Sequence, residues 1–526
     1  MKKTFVLIIL DGWGLGPRDD SNPIYRSQLP TINYFKKYYP ATALQAAGIA
    51  VGLPWGEPGN SEVGHLTLGT GRIIYQHYPR ISLAVRNGEF FKNTALNEAF
   101  DFAKTSGGKV HLLGLLSSGN VHSSYEHLEA LIKMAASKKA ERVCFHLFTD
   151  GRDSPQRSGR QLVQKFLADI KKAGIGTLAS LSGRYYALDR TRNWQNTKQI
   201  YDLIAKGVGR REKDTNKIFD LYYGRNLSDS YIEPTLIADS ETPLESLLIR
   251  DDDSLIFFDF REDSTRQLVS PFVLENFQEF ERLPLKNLHI TTMTEYDKNF
   301  KTNVAFKTEK IDRSLTQILS EKNLKQLKIA ETEKYYHLTF FFNGLTDKVF
   351  TDEFRILLPS QETPRFDEVP EMRAPEITER LIAAIEEKTY DFITVNYANP
   401  DTLAHTGNYQ AVLKGLEIVD QHLAQVYKIA ESKNATLIIT SDHGNAERLY
   451  DSVTGEKETT HNINPVPFYL VDEKFKLKKE KTEEEIYRSE QETLGVICDV
   501  APTILELMGI PIPPEMTGKS LLRYLV

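Results

Sequence analysis

Short apolar runs recur along the chain and end abruptly in polar residues: FVLIILDG, KVHLLGLLSSG, RVCFHLFTDG, TLASLSGR, SLIFFDFR, FITVNYANPD and TLIITSDHG. Amphipathic stretches such as Leu162 to Ala173 and Ala374 to Glu387 separate most of them. Continuous apolar strands alternating with helices predict parallel sheets covered on both faces, an α/β architecture. Ligands bind such sheets beyond the carboxyl ends of the strands, so the polar residues that end the runs are the ones to inspect. Near the N-terminus and again after about residue 390 they are Asp, His and Ser, whereas from about 77 to 308 they are Arg with one His-Ser turn. That partition predicts two domains: an outer one formed by 1–76 and 309–526, and an inserted one formed by 77–308.

Length and composition agree with this organisation. A chain of 526 residues exceeds what one hydrophobic core usually organises. With 26% charged and 40% apolar residues it has the mix of a folded globular protein. The 65 basic and 72 acidic residues leave a formal charge of -7, too balanced for a nucleic-acid or membrane-surface protein. Cys144 and Cys498 stand far apart, which excludes a disulfide framework or a CxxC motif and fits a reducing cytosol. The opening Met1-Lys2-Lys3 and Phe5 to Leu10 run straight into Asp11-Gly12 with no cleavage site, so it reads as a buried strand. Elsewhere no apolar run approaches the roughly 20 residues that span a bilayer. The charge run Lys474 to Glu485 reads as a solvated helix or loop.

Candidate chemistry gathers at the strand ends. Asp11 follows the first run, Asp401 and His405 lie four apart, Asp442-His443 ends another run, and His461 sits in TTHN. Alone, each has an ordinary reading, as a turn Asp or a helix-surface pair. Together they form a donor set for Mn, Mg or Zn ions. Two ions roughly 3.5–4 Å apart clamp the attacking and leaving oxygens of an in-line phosphoryl transfer. Ser61, in GNSEVGH, is either the N-cap of a following helix or a nucleophile at a helix N-terminus, where amides stabilise an anion. With no Ser-His-Asp order or G-x-S-x-G elbow nearby, the metals are left as its activator, which makes Ser61 ligand and nucleophile at once. Arg152, Arg184, Arg190 and Arg261 lie at or just beyond strand ends. One such Arg is by default a surface residue, but four suit a ligand carrying phosphate and carboxylate.

The motifs DGWG (11–14), GNSEVGH (59–65), TDGRDSP (149–155), GRYYALDR (183–190), AETEKYYHLTFFFNG (330–344), NYANPDTLAHTG (396–407) and SDHGNAE (441–447) resemble cofactor-independent phosphoglycerate mutases of the alkaline phosphatase superfamily, in the family's order along nearly the whole chain. The resemblance implies an alkaline-phosphatase-like metal domain with a large α/β insert domain. It implies interconversion of 3-phosphoglycerate and 2-phosphoglycerate in glycolysis and gluconeogenesis, without a bisphosphoglycerate primer and through a phosphoserine. By matched positions, one metal falls to Asp401, His405 and His461, and the other to Asp11, Ser61, Asp442 and His443. Mn²⁺ is the usual ion, with Mg²⁺ or another divalent ion in some members. The substrate falls to His122, Arg152, Asp153, Arg184, Arg190, Arg261 and Lys334, with Asp153 as acid and base on the glycerate hydroxyls and Lys334 beside the transferring phosphoryl group. A cytoplasmic monomer is the family expectation.

Three segments depart from the family pattern. Ser264 stands where the family carries a second Arg after Arg261, and Arg266 is the candidate to replace it. Ser117 to Ser124 lacks the usual Asp-Gly-Gly before His122 and has Ser124 where a second His is common. Trp55 to Pro58 is also less typical. The changes spare every proposed metal ligand and fall around substrate grip. A phosphohydrolase or another mutase on the same metal core is the first competing reading, and a non-catalytic binding protein the second.

Overall fold

The run FVLIIL forms strand Phe5–Leu10 (β1), and its alternate residues enter two different cores. Val6, Ile8 and Leu10 pack with Val412, Leu416, Val419 and Leu423 of helix Tyr409–Lys433, while Phe5, Leu7 and Ile9 pack with Val500, Ile504 and Leu505 of helix Val500–Leu507. A strand covered on both faces has no solvent side to mark with polar residues, which is why the run is uniformly apolar. The computed structural model describes residues 3–308 and 311–526. The chain divides into two compact units, Met1–Gln76 with Lys310–Val526, and His77–Glu309. Met1, Lys2 and the residues at the expected 308/309 boundary, 309–310, lie outside the described residues.

The first unit holds an eight-stranded sheet. Its spatial order is Glu353–Leu358 (β12), Gln326–Glu331 (β11), Phe392–Tyr397 (β13), β1, Thr436–Thr440 (β14), Val466–Val471 (β15), Ala41–Gln45 (β2) and Thr493–Val496 (β16). The second unit has its own eight strands, in the order Asn303–Val304 (β10), His289–Thr292 (β9), Ser254–Phe257 (β8), Val110–Leu116 (β3), Val143–Thr149 (β4), Thr177–Gly183 (β5), Thr235–Leu236 (β7) and Arg210–Arg211 (β6). Both sheets are mixed, which corrects the expectation of purely parallel ones. β15 runs antiparallel to β14 and to β2, and β7 antiparallel to β5. No helix joins β14 to β15, so the chain lacks the crossover that a parallel neighbour requires and returns in the opposite direction.

Helix Ala374–Glu387 has the expected limits, and Gly159–Ala173 begins slightly before the expected Leu162. The charge run spans a 3-10 turn, Glu473–Phe475, and the start of helix Glu483–Gln491, whose N-terminus is closed by a capping box between Thr482 and Glu485. Among the described residues no helix is long and apolar enough to cross a membrane.

In the second sheet β8 stops at Phe257, and the carboxylate of Asp259 takes over the ladder by accepting the Leu115 N–H at 2.8 Å. Asp259 is fully buried, and its other oxygen has no hydrogen-bond partner. Burial raises its carboxyl to about 7. A carboxyl raised in the folded state adds stability that is complete below its unfolded value and is lost as pH rises through the folded one. Asp259→Asn keeps the acceptor for Leu115 and removes the charge. Its stability relative to the parent is expected to improve as pH rises from about 4 through 7, by at most about 1.4 kcal/mol per pH unit, in denaturant titrations at successive pH values.

Candidate active site

β13, β1 and β14 lie side by side, so the residues beyond their carboxyl ends are gathered in one place. Asp11 follows β1, Asp442 follows β14, and helix Asn399–His405 after β13 carries Asp401 and His405 one turn apart. Gly12 has φ +70°, and a Cβ there would come within 2.7 Å of the Asp401 Cβ, so glycine is what lets these turns close. Ser61 is the first residue of helix Ser61–Thr70, and the cap is Asn60, whose Oδ1 accepts the Val63 N–H at 3.1 Å. The Ser61 hydroxyl is therefore not spent on capping. It lies 3.2 Å from Asp11 Oδ1 and 3.1 Å from His443 Nε2, and accepts from Lys334 Nζ at 2.8 Å.

The imidazoles are oriented by backbone carbonyls. His405 Nδ1 donates to Thr459 O at 2.8 Å, His461 Nδ1 to Gly59 O at 2.9 Å and His443 Nδ1 to Gly444 O at 3.3 Å. In the neutral ring each Nε2 then presents a lone pair, and the lone pairs point at carboxylates and at one another. The Nε2 atoms of His405 and His461 are 3.1 Å apart, and they lie 3.3 and 3.4 Å from Asp401 Oδ1. His443 Nε2 lies 3.7 Å from Asp11, 3.6 Å from Asp442 and 3.9 Å from Asp401. Acceptors converging on acceptors with no proton between them suit a cation.

Donor atoms of Asp401, His443 and His461 lie within 4.8 Å of one another, and so do those of Asp11, His65 and Asp442. His65 is the poorer ligand, because its Nε2 accepts from Asn396 Nδ2 at 3.0 Å and its Nδ1 proton goes to Ser61 O at 2.9 Å. That leaves Asp442 Oδ2, 3.1 Å from the same Nδ1, buried without a hydrogen bond, as is Asn445 Oδ1. The residues present therefore fit divalent ions.

Three carboxylates buried this closely resist joint ionisation. Burial and then Asp442 push Asp11 upward. Burial also opposes the charge on Asp401, but the Lys334 ammonium beside it outweighs that cost and holds the carboxyl well below its usual range. Lys334 Nζ lies 2.6 Å from both Asp11 Oδ1 and Asp401 Oδ2. Against the cost of its own burial, those carboxylates and Asp442 raise Lys334, which stays an ammonium.

The second unit gathers cations at its strand ends. Asp150, after β4, shapes the turn bearing Arg152 and Asp153 by accepting both their N–H groups, at 3.2 and 3.1 Å. Arg184, directly after β5, donates to Asp150, to Asp153 and, at 3.0 Å, to His122 Nε2. Nε2 is thus the acceptor, and His122 Nδ1 donates to Ser264 Oγ at 2.6 Å. Burial, with Arg184 beside it, lowers His122 to about 4 and keeps the ring neutral. Ser264 is accordingly fully buried beneath His122. Arg266 Nε donates to Tyr296 O at 2.5 Å. Arg190 and Arg261 share Asp263, the latter through Nε at 2.9 Å, and Arg152 is exposed.

The chain is 40% identical over 523 residues to a 2,3-bisphosphoglycerate-independent phosphoglycerate mutase of Moorella thermoacetica, covering 99% of each chain. The chain belongs to this mutase family. A relative of the same description from Thermomicrobium roseum is 42% identical over 520 residues, covering 98% of this chain and 97% of its own. The family description "BPG-independent PGAM N-terminus (iPGM_N)" matches residues 81–298, and "Type I phosphodiesterase / nucleotide pyrophosphatase" matches 266–466. A crystal structure of Leishmania mexicana phosphoglycerate mutase at low cobalt concentration is 26% identical, with TM-score 0.51, covering 99% of this chain and 97% of that one.

In this member of the mutase family the structure brings Asp11, Ser61, Lys334, Asp401, His405, Asp442, His443 and His461 together in the first unit. It brings His122, Asp153 and Arg184 together in the second. Sequence reading passed over His65, Asn396, Asn445 and Asp150, although each lies inside a quoted motif; a polar residue on a buried helix, strand or turn was the signal. Lys334→Met would leave three buried carboxylates uncompensated and is expected to cost about 3–5 kcal/mol in EDTA. Mn²⁺ should restore more stability to the variant than to the parent, as read by melts with and without the ion.

Proposed function

We propose that this chain interconverts 3-phosphoglycerate and 2-phosphoglycerate, the step shared by glycolysis and gluconeogenesis, through a phosphoserine on Ser61. The observation that carries this reading is an uncapped Ser61 hydroxyl held between Asp11, His443 and Lys334, in a chain alike over its whole length to named phosphoglycerate mutases. Two divalent ions, Mn²⁺ before Mg²⁺ or another, would be held by Asp401, His405 and His461 and by Asp11, Ser61, Asp442 and His443, and would supply activation of the serine oxygen and neutralisation of phosphoryl charge. That the Leishmania mutase was crystallised at low cobalt concentration supports a metal-dependent reading.

Ser61 Oγ forms the new bond to phosphorus while the bond from phosphorus to the glycerate oxygen breaks. Asp11 Oδ1 is placed to take the serine proton, and the Lys334 ammonium lies against the same hydroxyl, where it offsets charge on the phosphoryl oxygens. In the second unit, the guanidinium groups of Arg152, Arg184, Arg190 and Arg261 are assigned to the substrate's anionic groups, and Asp153 to proton transfer at its two hydroxyls. His122, with both ring nitrogens engaged, orients Arg184 in this scheme. The unit His77–Glu309 is then the substrate domain, and the other unit the metal domain. We further propose a cytoplasmic monomer, to which the two free and buried cysteines give no redox role.

The match of 266–466 to a phosphodiesterase description favours hydrolysis as the second reading. One assay separates the two. Metal-replete protein given 3-phosphoglycerate and no bisphosphoglycerate should form 2-phosphoglycerate and release almost no inorganic phosphate. Phosphate in proportion to turnover would establish a hydrolase, and no turnover at all would sink both readings. Ser61→Ala is expected to lower turnover by at least about 10³-fold while the fold and Mn²⁺-dependent stabilisation persist.

A further inference from the structure

Glu447 is fully buried beside the candidate metal centre, and the proposed reaction gives it no part. Its Oε2 accepts the backbone N–H of Gly14 at 3.0 Å and of Asn445 at 2.8 Å, and its Oε1 accepts Nδ2 of Asn464 at 3.0 Å. Those donors lie on the three segments that follow Asp11, Asp442-His443 and His461. Asn445 passes the link on, donating Nδ2 to Asp401 Oδ1 at 2.7 Å and lying 3.4 Å from His405 Nε2. Asn464 N–H bonds to Asn462 Oδ1 at 3.0 Å, and Asn462 N–H to Gly444 O at 3.2 Å, which ties the His461 segment to the Asp442 loop.

Glycine at positions 14 and 444 makes room for this carboxylate. A Cβ on Gly14 would lie 2.2 Å from Glu447 Cδ, and one on Gly444 would lie 2.5 Å from Oε1. Burial pushes the Glu447 carboxyl upward, and the donors around it work in the opposite direction. A buried acceptor is tolerated when it is hydrogen-bonded; here one bond is local, from Asn445 two residues away, and the others come from Gly14 and Asn464, so satisfying Glu447 requires the Asp11 and His461 segments to be in place beside its own.

We propose that Glu447 is a positioning residue of the metal centre, the shared acceptor that sets the Asp11, Asp442-His443 and His461 segments relative to one another and, through Asn445, steadies Asp401. The proposal rests on the two-ion reading of the site. Groups behind metal ligands act in this way by fixing ligand direction, and their loss weakens metal affinity.

The test uses the full chain with Mn²⁺ alone as probe, by titration calorimetry, with circular dichroism and melts in EDTA to follow the fold. Glu447→Ala should weaken Mn²⁺ affinity by about 10–100-fold. Glu447→Gln keeps an acceptor for Gly14 and Asn445 and can donate to a turned Asn464 amide, so its loss should stay below about 10-fold. If Glu447→Ala does not fold, Asn464→Ala, which removes one link, decides the matter and should bind Mn²⁺ several-fold more weakly. Parental Mn²⁺ affinity in the folded variant, with only a lower melting temperature, would reduce Glu447 to a structural residue and overturn the proposal. A parent protein that binds no Mn²⁺ would instead remove the two-ion reading, and this proposal with it.

Discussion

Three carboxylates, Asp11, Asp401 and Asp442, meet in the interior of one unit, each no more than about 4% exposed. Like charges so placed repel strongly where water cannot screen them, and much of the surrounding structure answers that repulsion. Lys334 bridges two of them through a single ammonium group. The imidazoles are turned by backbone carbonyls so that they offer lone pairs and no protons. A glycine at position 12 allows two acidic turns to touch. The arrangement creates a demand for positive charge beside the Ser61 hydroxyl.

The second unit solves the complementary problem. Its strand ends carry guanidinium groups, and three of them are paired: Arg184 with Asp150 and Asp153, Arg190 and Arg261 with Asp263. Pairing fixes the direction of a long side chain before an anion arrives, at the cost of a carboxylate the anion must share. Ser264 belongs to the same economy of space. A small hydroxyl there sits under His122 and completes a chain from Ser264 through His122 to Arg184, so the position that departs from the family pattern is built into the support of Arg184 instead of reaching outward.

Sequence reading succeeded where one physical cause dominates. β1, β3, β4, β5, β8, β13 and β14 are buried on both faces, and their composition shows it. The acidic and His residues that end them had no packing reason to be there, which made Asp11, Asp442 and His443 visible. Strands with mixed composition were not read: β2 (ATALQ) is short, and β12 (EFRILL) is partly exposed at a sheet edge. The runs that were read pair parallel with one another, and the antiparallel strands β15 and β7 were not among them. A supporting group such as Asn396 stayed hidden because its partner is remote: Asn396 and Asp11 are 385 positions apart.

That separation has a consequence for how the molecule is made. β1 is synthesised long before its two sheet partners, β13 and β14, with the whole of His77–Glu309 between. His77–Glu309 is continuous and has its own sheet and cores, so it can fold on the nascent chain, while the uniformly apolar β1 waits without neighbours. Closing a loop of that length costs little more entropy than closing one half as long, but it delays the event. The edge that bears Asp11, Asp401 and Asp442 is therefore assembled only after β13 and β14 have been synthesised, long after β1 itself.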